Sequence, residues 1–289
     1  REPLSKKEFE HDRIKNIDLK ENGGLGNARN VAIKEVSSEY IMFLDSDDEL
    51  QEGALSAMTE MLAGEDFVLG GFVEYSGAVA NRSVSPRFTR SYLAGEMDLF
   101  LDSEIRRDCV MLDAPWAKLF RRKLIGNLRF CESLSYAEDK LFVFSFLARC
   151  RSARTVALPV YAYKLRIGSL GSDIRSDRHL SQLKVFLPAY ASVLEELAAA
   201  HPDSVKVRDL YRKDLIGRYI CRILNIFAVR KTPMLTEEFV GELYGMIEKE
   251  PSTGVFSLRV GQMFNMILYR IGNPRLSVRI YRVLAHRKK

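Results

Sequence analysis

The chain has few cysteines, and Cys109, Cys131, Cys150 and Cys221 are widely spaced with no CxxC pair among them. That spacing excludes a disulfide scaffold and a thiolate zinc site, and it fits free thiols in a reducing compartment. No apolar run approaches the roughly 18 residues that a transmembrane helix needs. The charged start, REPLSKKEFEHDR, lacks the apolar centre of a signal peptide. A cytoplasmic location is therefore expected. There is no internal repeat, no low-complexity tract and no nucleic-acid-binding module. Nucleic acid is accordingly not expected as a partner.

What is present is an ordinary globular composition, 47% hydrophobic and 28% charged, in 289 residues. That length buries a sizeable core in one large domain or two. The net charge of +6 is unevenly spread. Between Val255 and Lys289 the basic residues Arg259, Arg270, Arg275, Arg279, Arg282, Arg287, Lys288 and Lys289 meet no acidic one. Leu276, Ile280, Val283 and Leu284 share a helical face beside that basic stripe. Such a helix can lie on an anionic membrane surface or pack on its own domain.

Along the chain, a strand is expected at Ile14–Leu19 and a glycine-rich turn at Glu21–Asn30 leading into a helix over Asn27–Val36. The apolar run Glu39–Leu44 reads as a buried strand. A helix is expected over Glu52–Ala63, a strand over Asp66–Tyr75 and a loop over Asn81–Arg90. Helices are expected near Tyr92–Leu101 and over Tyr136–Arg149, with an edge strand at Val156–Tyr163. From about residue 175 the spacing of Leu180, Leu183, Leu187, Tyr190, Leu194 and Leu197, and of Ile216, Ile220, Ile223, Leu224 and Phe227, is helical. The pattern is that of an α/β unit over 1–175 followed by a mainly helical region over 176–289.

Four segments are candidates for chemistry. Asp45, Asp47 and Asp48 directly follow a buried strand, where loops in α/β sheets gather ligands. Carboxylates at i and i+2 on such a turn can converge on Mg²⁺ or Mn²⁺; the alternative is an exposed turn capping the next helix. A calcium loop fits poorly, since its sixth position is Leu50 where a glycine is needed. The run from Asn22 to Asn30 can bring backbone N–H groups and Arg29 to a phosphate, or it can be a plain glycine turn before a helix. Glu138 and Asp139 open an apolar helix, either as a general base or as acids favoured by the helix dipole. Tyr161–Ser169, with Arg166, can fold over a diphosphate or simply form a surface strand and loop.

In this order the segments NGGLGNARN, YIMFLDSDDEL, PWAKLF, YAEDKLF and YAYKLRIGS resemble bacterial family 2 glycosyltransferases of the GT-A fold, especially those making capsule and other surface polysaccharides. The resemblance spans about Ile14 to Leu170. It implies a Rossmann-like mixed sheet flanked by helices and an inverting transfer from a nucleotide-sugar, with a UDP-sugar as the default, to a glycan or lipid-linked acceptor. It implies that Asp47 is a Mn²⁺ or Mg²⁺ ligand, with Asp45 near the metal or the donor ribose and Asp48 supporting the loop. It further implies that Asp139 is the catalytic base, with Glu138 orienting it or touching the acceptor, and that Asn22 and Arg29 lie on the nucleotide side. Arg166 would reach the diphosphate, and Trp116 and Lys118 would shape the acceptor side. The strand–helix–strand with which such enzymes normally begin has no counterpart before Glu21, so weak nucleotide binding and little activity are expected of these 289 residues alone. A non-catalytic scaffold is the rival reading. A two-carboxylate glycoside hydrolase leaves the glycine run and the DxD unexplained.

Overall fold

The computed structural model describes residues 13–60, 62–107, 110–165, 177–210, 214–215 and 236–248. Its strands are β1 (Tyr40–Ile41), β2 (Glu49–Leu50), β3 (Phe67–Ser76), β4 (Val79–Val84), β5 (Arg90–Tyr92), β6 (Lys118–Arg121) and β7 (Ala153–Leu165). Its helices are α1 (Gly24–Glu35), α2 (Ala54–Thr59), α3 (Met97–Arg107), α4 (Val110–Asp113), α5 (Arg122–Ile125), α6 (Glu138–Leu147), α7 (Asp177–Ala200), α8 (Val205–Leu210) and α9 (Glu237–Glu248).

One mixed seven-stranded sheet runs β1-β6-β3-β7-β2, with β4 added on β3 and β5 on β7. Only β3 and β7 pair in parallel; the other ladders are antiparallel. The α/β architecture that the resemblance implied is therefore present. Phe67, Val68, Leu69 and Phe72 of β3 are buried on both faces, as are the apolar residues of α6. Helix α6 is sandwiched: Phe142 and Phe146 meet Phe120 of the sheet at 5.7 and 5.0 Å, while Phe144 meets Tyr190 of α7 at 6.0 Å. A helix buried all round shows little amphipathic pattern, which is why EDKLFVFSFL reads as a plain apolar run.

Several expectations are corrected. Residues 14–19 form no strand, and those side chains are exposed. The glycine run is part of helix α1, which starts at Gly24; the Asn22 side-chain oxygen accepts from the Gly24 N–H at 3.1 Å. Residues 81–84 of the expected loop belong to the strand β4 (Val79–Val84), whose side chains are almost all exposed, so no alternation marks it. Tyr92 ends a strand; the helix begins after a turn in which Gly95 has φ +92° and the Glu96 carboxylate accepts from the Leu93 N–H at 2.8 Å. The expected edge strand is β7, an interior strand that pairs with β3, β2 and β5. Burial on both faces blurs its alternation. Residues 216–227 and the basic tail lie outside the described residues. Among the described residues no helix is long and apolar enough to cross a membrane.

Candidate active site

The acidic turn follows β1, where Phe43 bridges to Trp116. It is closed by the Asp48 N–H donating to the Asp45 carbonyl at 3.1 Å. The Tyr161 hydroxyl ties both ends of the turn. It donates to the Asp48 carboxylate at 2.7 Å and accepts from the Asp45 N–H at 3.2 Å. The Lys164 N–H also donates to Asp48, at 2.8 Å. Asp48 is buried, and that burial raises its pKa against the pull of these two donors. Asp48 thus supports the turn, while Asp45 and Asp47 line a cleft.

Across that cleft, α6 begins after Ala137, a non-glycine residue at φ +60°. Left-handed alanines are costly and persist where the surroundings over-determine them. A second one, Ala117 at φ +56°, separates Trp116 from Lys118. Glu138 is buried, and its pKa is raised by that burial. Asp139 keeps a quarter of its side chain exposed to the cleft. Its carboxyl is pushed up to about 7 by desolvation, against Arg29 and with help from neighbouring Glu138 and Asp45.

Arg29 joins the two sides. Its guanidinium donates to Asp45 at 2.7 Å and to Asp139, with Glu138 at 3.8 Å, and it lies 5.1 Å above the Phe130 ring. It occupies the buried face of α1 along with Gly26, Asn30 and Ile33. A Cβ on Gly26 would stand 3.3 Å from the Phe130 Cβ, so glycine lets α1 approach this closely.

The cleft measures about 620 Å³ and is walled by Trp116, Tyr136 and Tyr163 as well as by the carboxylates. Trp116 stacks between Tyr161 and Tyr163 at 4.8 and 5.5 Å. Lys118 is fully buried beneath it and donates to the Trp116 carbonyl at 3.0 Å. Burial lowers the Lys118 ammonium to about 7, opposed by Asp113 and Asp139. A second cleft of about 480 Å³, lined by Asn22 and the glycine run, shares Leu25, Ser135 and Glu138 with the first.

The arrangement brings together Asp45, Asp47, Glu138, Asp139 and Trp116 around one cleft. It places Arg29 behind the carboxylates instead of on an open nucleotide face, and Lys118 under the wall instead of in it. Both departures have one cause: a cation among several carboxylates, or under an aromatic stack, is drawn inward by partners invisible in spacing. Arg166 lies outside the described residues. Residues 1–128 match the family model described as Glycosyl transferase family 2.

Over this stretch, a little under half of its length, the chain is similar to family 2 glycosyltransferases. The match includes the acidic turn and Trp116, whereas the Glu138–Asp139 pair lies beyond it. The chain is 28% identical over 215 residues to the poly(ribitol-phosphate) beta-N-acetylglucosaminyltransferase TarP of Staphylococcus aureus (strain N315), covering 72% of this chain and 61% of that protein. It is 26% identical over 152 residues to the uncharacterized glycosyltransferase EpsJ of Bacillus subtilis (strain 168), covering 52% and 44%. The chain thus spans about half the length of the curated relatives it matches. It shares the fold of S. aureus TarS 1-349, crystallised with UDP-GlcNAc, at a TM-score of 0.61 and 19% identity, over 90% of this chain and 76% of that one.

Two residues of this site, Asp113 and Lys140, escaped the sequence reading, as did the part played by Tyr161. Tyr161 sits in an aromatic stretch that reads equally as a surface strand. Asp113 lines the cleft three residues before Trp116, and Lys140 lines it next to Asp139. A lysine inside an otherwise apolar helix was the available signal for the latter, since a buried cation demands a buried partner. Replacing Tyr161 by Phe leaves Asp48 buried and short of a donor. The expected loss is about 1–3 kcal/mol of stability, read by urea unfolding; an unchanged midpoint would contradict the role of the hydroxyl.

Proposed function

We propose that the chain transfers a sugar, with inversion, from a nucleotide-diphosphate donor to a hydroxyl of a glycan or lipid-linked acceptor in surface-polysaccharide synthesis. The observation that carries this reading is that Asp45, Asp47 and Asp139 line one cleft, with Arg29 tying Asp45 to Asp139 from behind. A UDP-sugar is the donor favoured by the names of the relatives: TarP is a beta-N-acetylglucosaminyltransferase, and TarS was crystallised with UDP-GlcNAc.

Asp45 and Asp47 supply the hard oxygen donors that Mg²⁺ or Mn²⁺ prefers. Among the described residues, no group of three His, Cys, Asp or Glu side chains is arranged to hold a metal. Two carboxylates nevertheless suffice for Mg²⁺ when substrate phosphates and water complete the shell. A bound divalent ion would neutralise charge on the departing diphosphate. The chain's own residues do the rest. Asp139 accepts the proton of the acceptor hydroxyl as that oxygen bonds to the anomeric carbon. The bond from that carbon to the diphosphate oxygen breaks, and the nucleoside diphosphate leaves. Glu138 and Arg29 hold Asp139 in place, and Trp116 offers a flat wall to a sugar ring. Lys118 acts on that wall from below. The donor's chemistry favours a cytoplasmic location, and the basic tail favours the inner membrane surface.

The test is UDP release from UDP-sugars in Mn²⁺, with Asp47→Ala as control. Because the base must be ionised, the rate should climb with pH, be half-maximal at about pH 7 and level off about one unit above that. Release that is flat from pH 5 to 8, or undiminished in Asp47→Ala, would overturn the reading.

A further inference from the structure

The segment carrying Glu138 and Asp139 is gripped from both sides by the helical region that follows the sheet. On one side, the Gln182 side-chain oxygen on α7 accepts from both the N–H and the hydroxyl of Ser135, each at 3.0 Å. On the other, the Lys140 ammonium, 2% exposed, meets the Asp214 carboxylate at 2.6 Å and Asp113 at 2.8 Å. Asp214 is held in turn by the Tyr190 hydroxyl of α7 at 2.7 Å. Between the two grips lies Ala137 at φ +60°, a conformation that a free chain would leave.

We infer that α7 together with Asp214 is a clamp that fixes the direction from which Asp139 meets the acceptor hydroxyl, making Gln182, Tyr190 and Asp214 positioning residues. The inference rests on the reading of Asp139 as the base. It gives the helical region a task in the reaction: the sheet and α1 supply the carboxylate cluster, and the helices set its aim. Small displacements of a reacting group cost much of the rate, while donor binding at the acidic turn is made by different residues.

The experiment pairs two readouts on Gln182→Leu, Gln182→Glu and Asp214→Asn. Glutamate keeps the oxygen that Ser135 needs, and asparagine keeps the shape of Asp214. In Gln182→Leu and Asp214→Asn, hydrogen–deuterium exchange should quicken over residues 135–143 and stay unchanged in β3 and β7. UDP release should show kcat lowered about 10- to 100-fold with the donor KM unmoved, and Gln182→Glu should recover most of it. Unchanged exchange over 135–143 would overturn the clamp. So would faster exchange throughout the chain, or faster local exchange with kcat intact. If the wild-type chain releases no UDP, the transfer reading fails, while the exchange data still decide whether α7 and Asp214 hold the segment.

Discussion

Asp139→Asn should lower donor turnover by about 10²- to 10⁴-fold, the usual worth of a positioned general base, while leaving donor binding and folding nearly intact. Asparagine has the same shape, and its side-chain oxygen can still accept from Arg29, so the cluster keeps its geometry. What it lacks is a basic site for the acceptor proton. Burial has already moved the Asp139 carboxyl to about 7, where a base is strong enough to take a proton and still about half ionised near neutral pH. The limb of the rate profile near pH 7 should vanish in the variant. A kcat within about threefold of wild type would remove Asp139 from the chemistry. A matching loss of donor affinity would instead make it a binding group.

Arg29→Met should be the most damaging substitution to the fold. Arg29 is 5% exposed, and its guanidinium faces Asp45, Glu138 and Asp139 at once. Its removal leaves several carboxylates gathered with no cation, which costs about 3–5 kcal/mol for a buried pair broken from one side. The pH dependence has a definite sign. Asp139 already has a folded-state pKa above its unfolded value, so its contribution is greatest below the ordinary carboxylate range and is lost as pH rises through about 7. Without Arg29 the Glu138 and Asp139 carboxyls should titrate higher still. The deficit of the variant should therefore be largest above pH 7 and shrink toward pH 4, where the group becomes neutral. Urea unfolding of both proteins across that range measures it. A deficit that grows on acidification would contradict the charge account.

The order of chemistry-bearing segments was legible because each combines a short local signal with a fixed neighbour. The apolar run before Asp45, the acids opening an apolar helix and the glycines before Arg29 are all local. The long-range partners of those residues were not. Arg29 contacts Asp139 across 110 positions, and Tyr161 reaches Asp48 across 113. No periodicity encodes such a pairing, so Arg29 read as a free anion binder and Tyr161 as part of a strand. The strands were harder than the helices for a related reason. β4 is exposed on both faces and β7 buries consecutive residues such as Val160, Tyr161 and Ala162, so neither alternates. Lys140 is the instructive case: it looks like the surface lysine of a helix start, and Asp113 and Asp214, from distant parts of the chain, help make it a core residue.

The central claim is that Asp45 and Asp47, with Arg29 behind Asp45, form a metal-assisted seat for a nucleotide-sugar diphosphate. It is tested most directly by calorimetric titration of UDP-GlcNAc into the chain, in Mn²⁺ and in EDTA, beside Asp47→Ala. The account predicts measurable binding, even if weak, that requires Mn²⁺ and disappears in Asp47→Ala. Binding of equal strength in EDTA or in the variant, or none at millimolar donor with Mn²⁺ present, would contradict it.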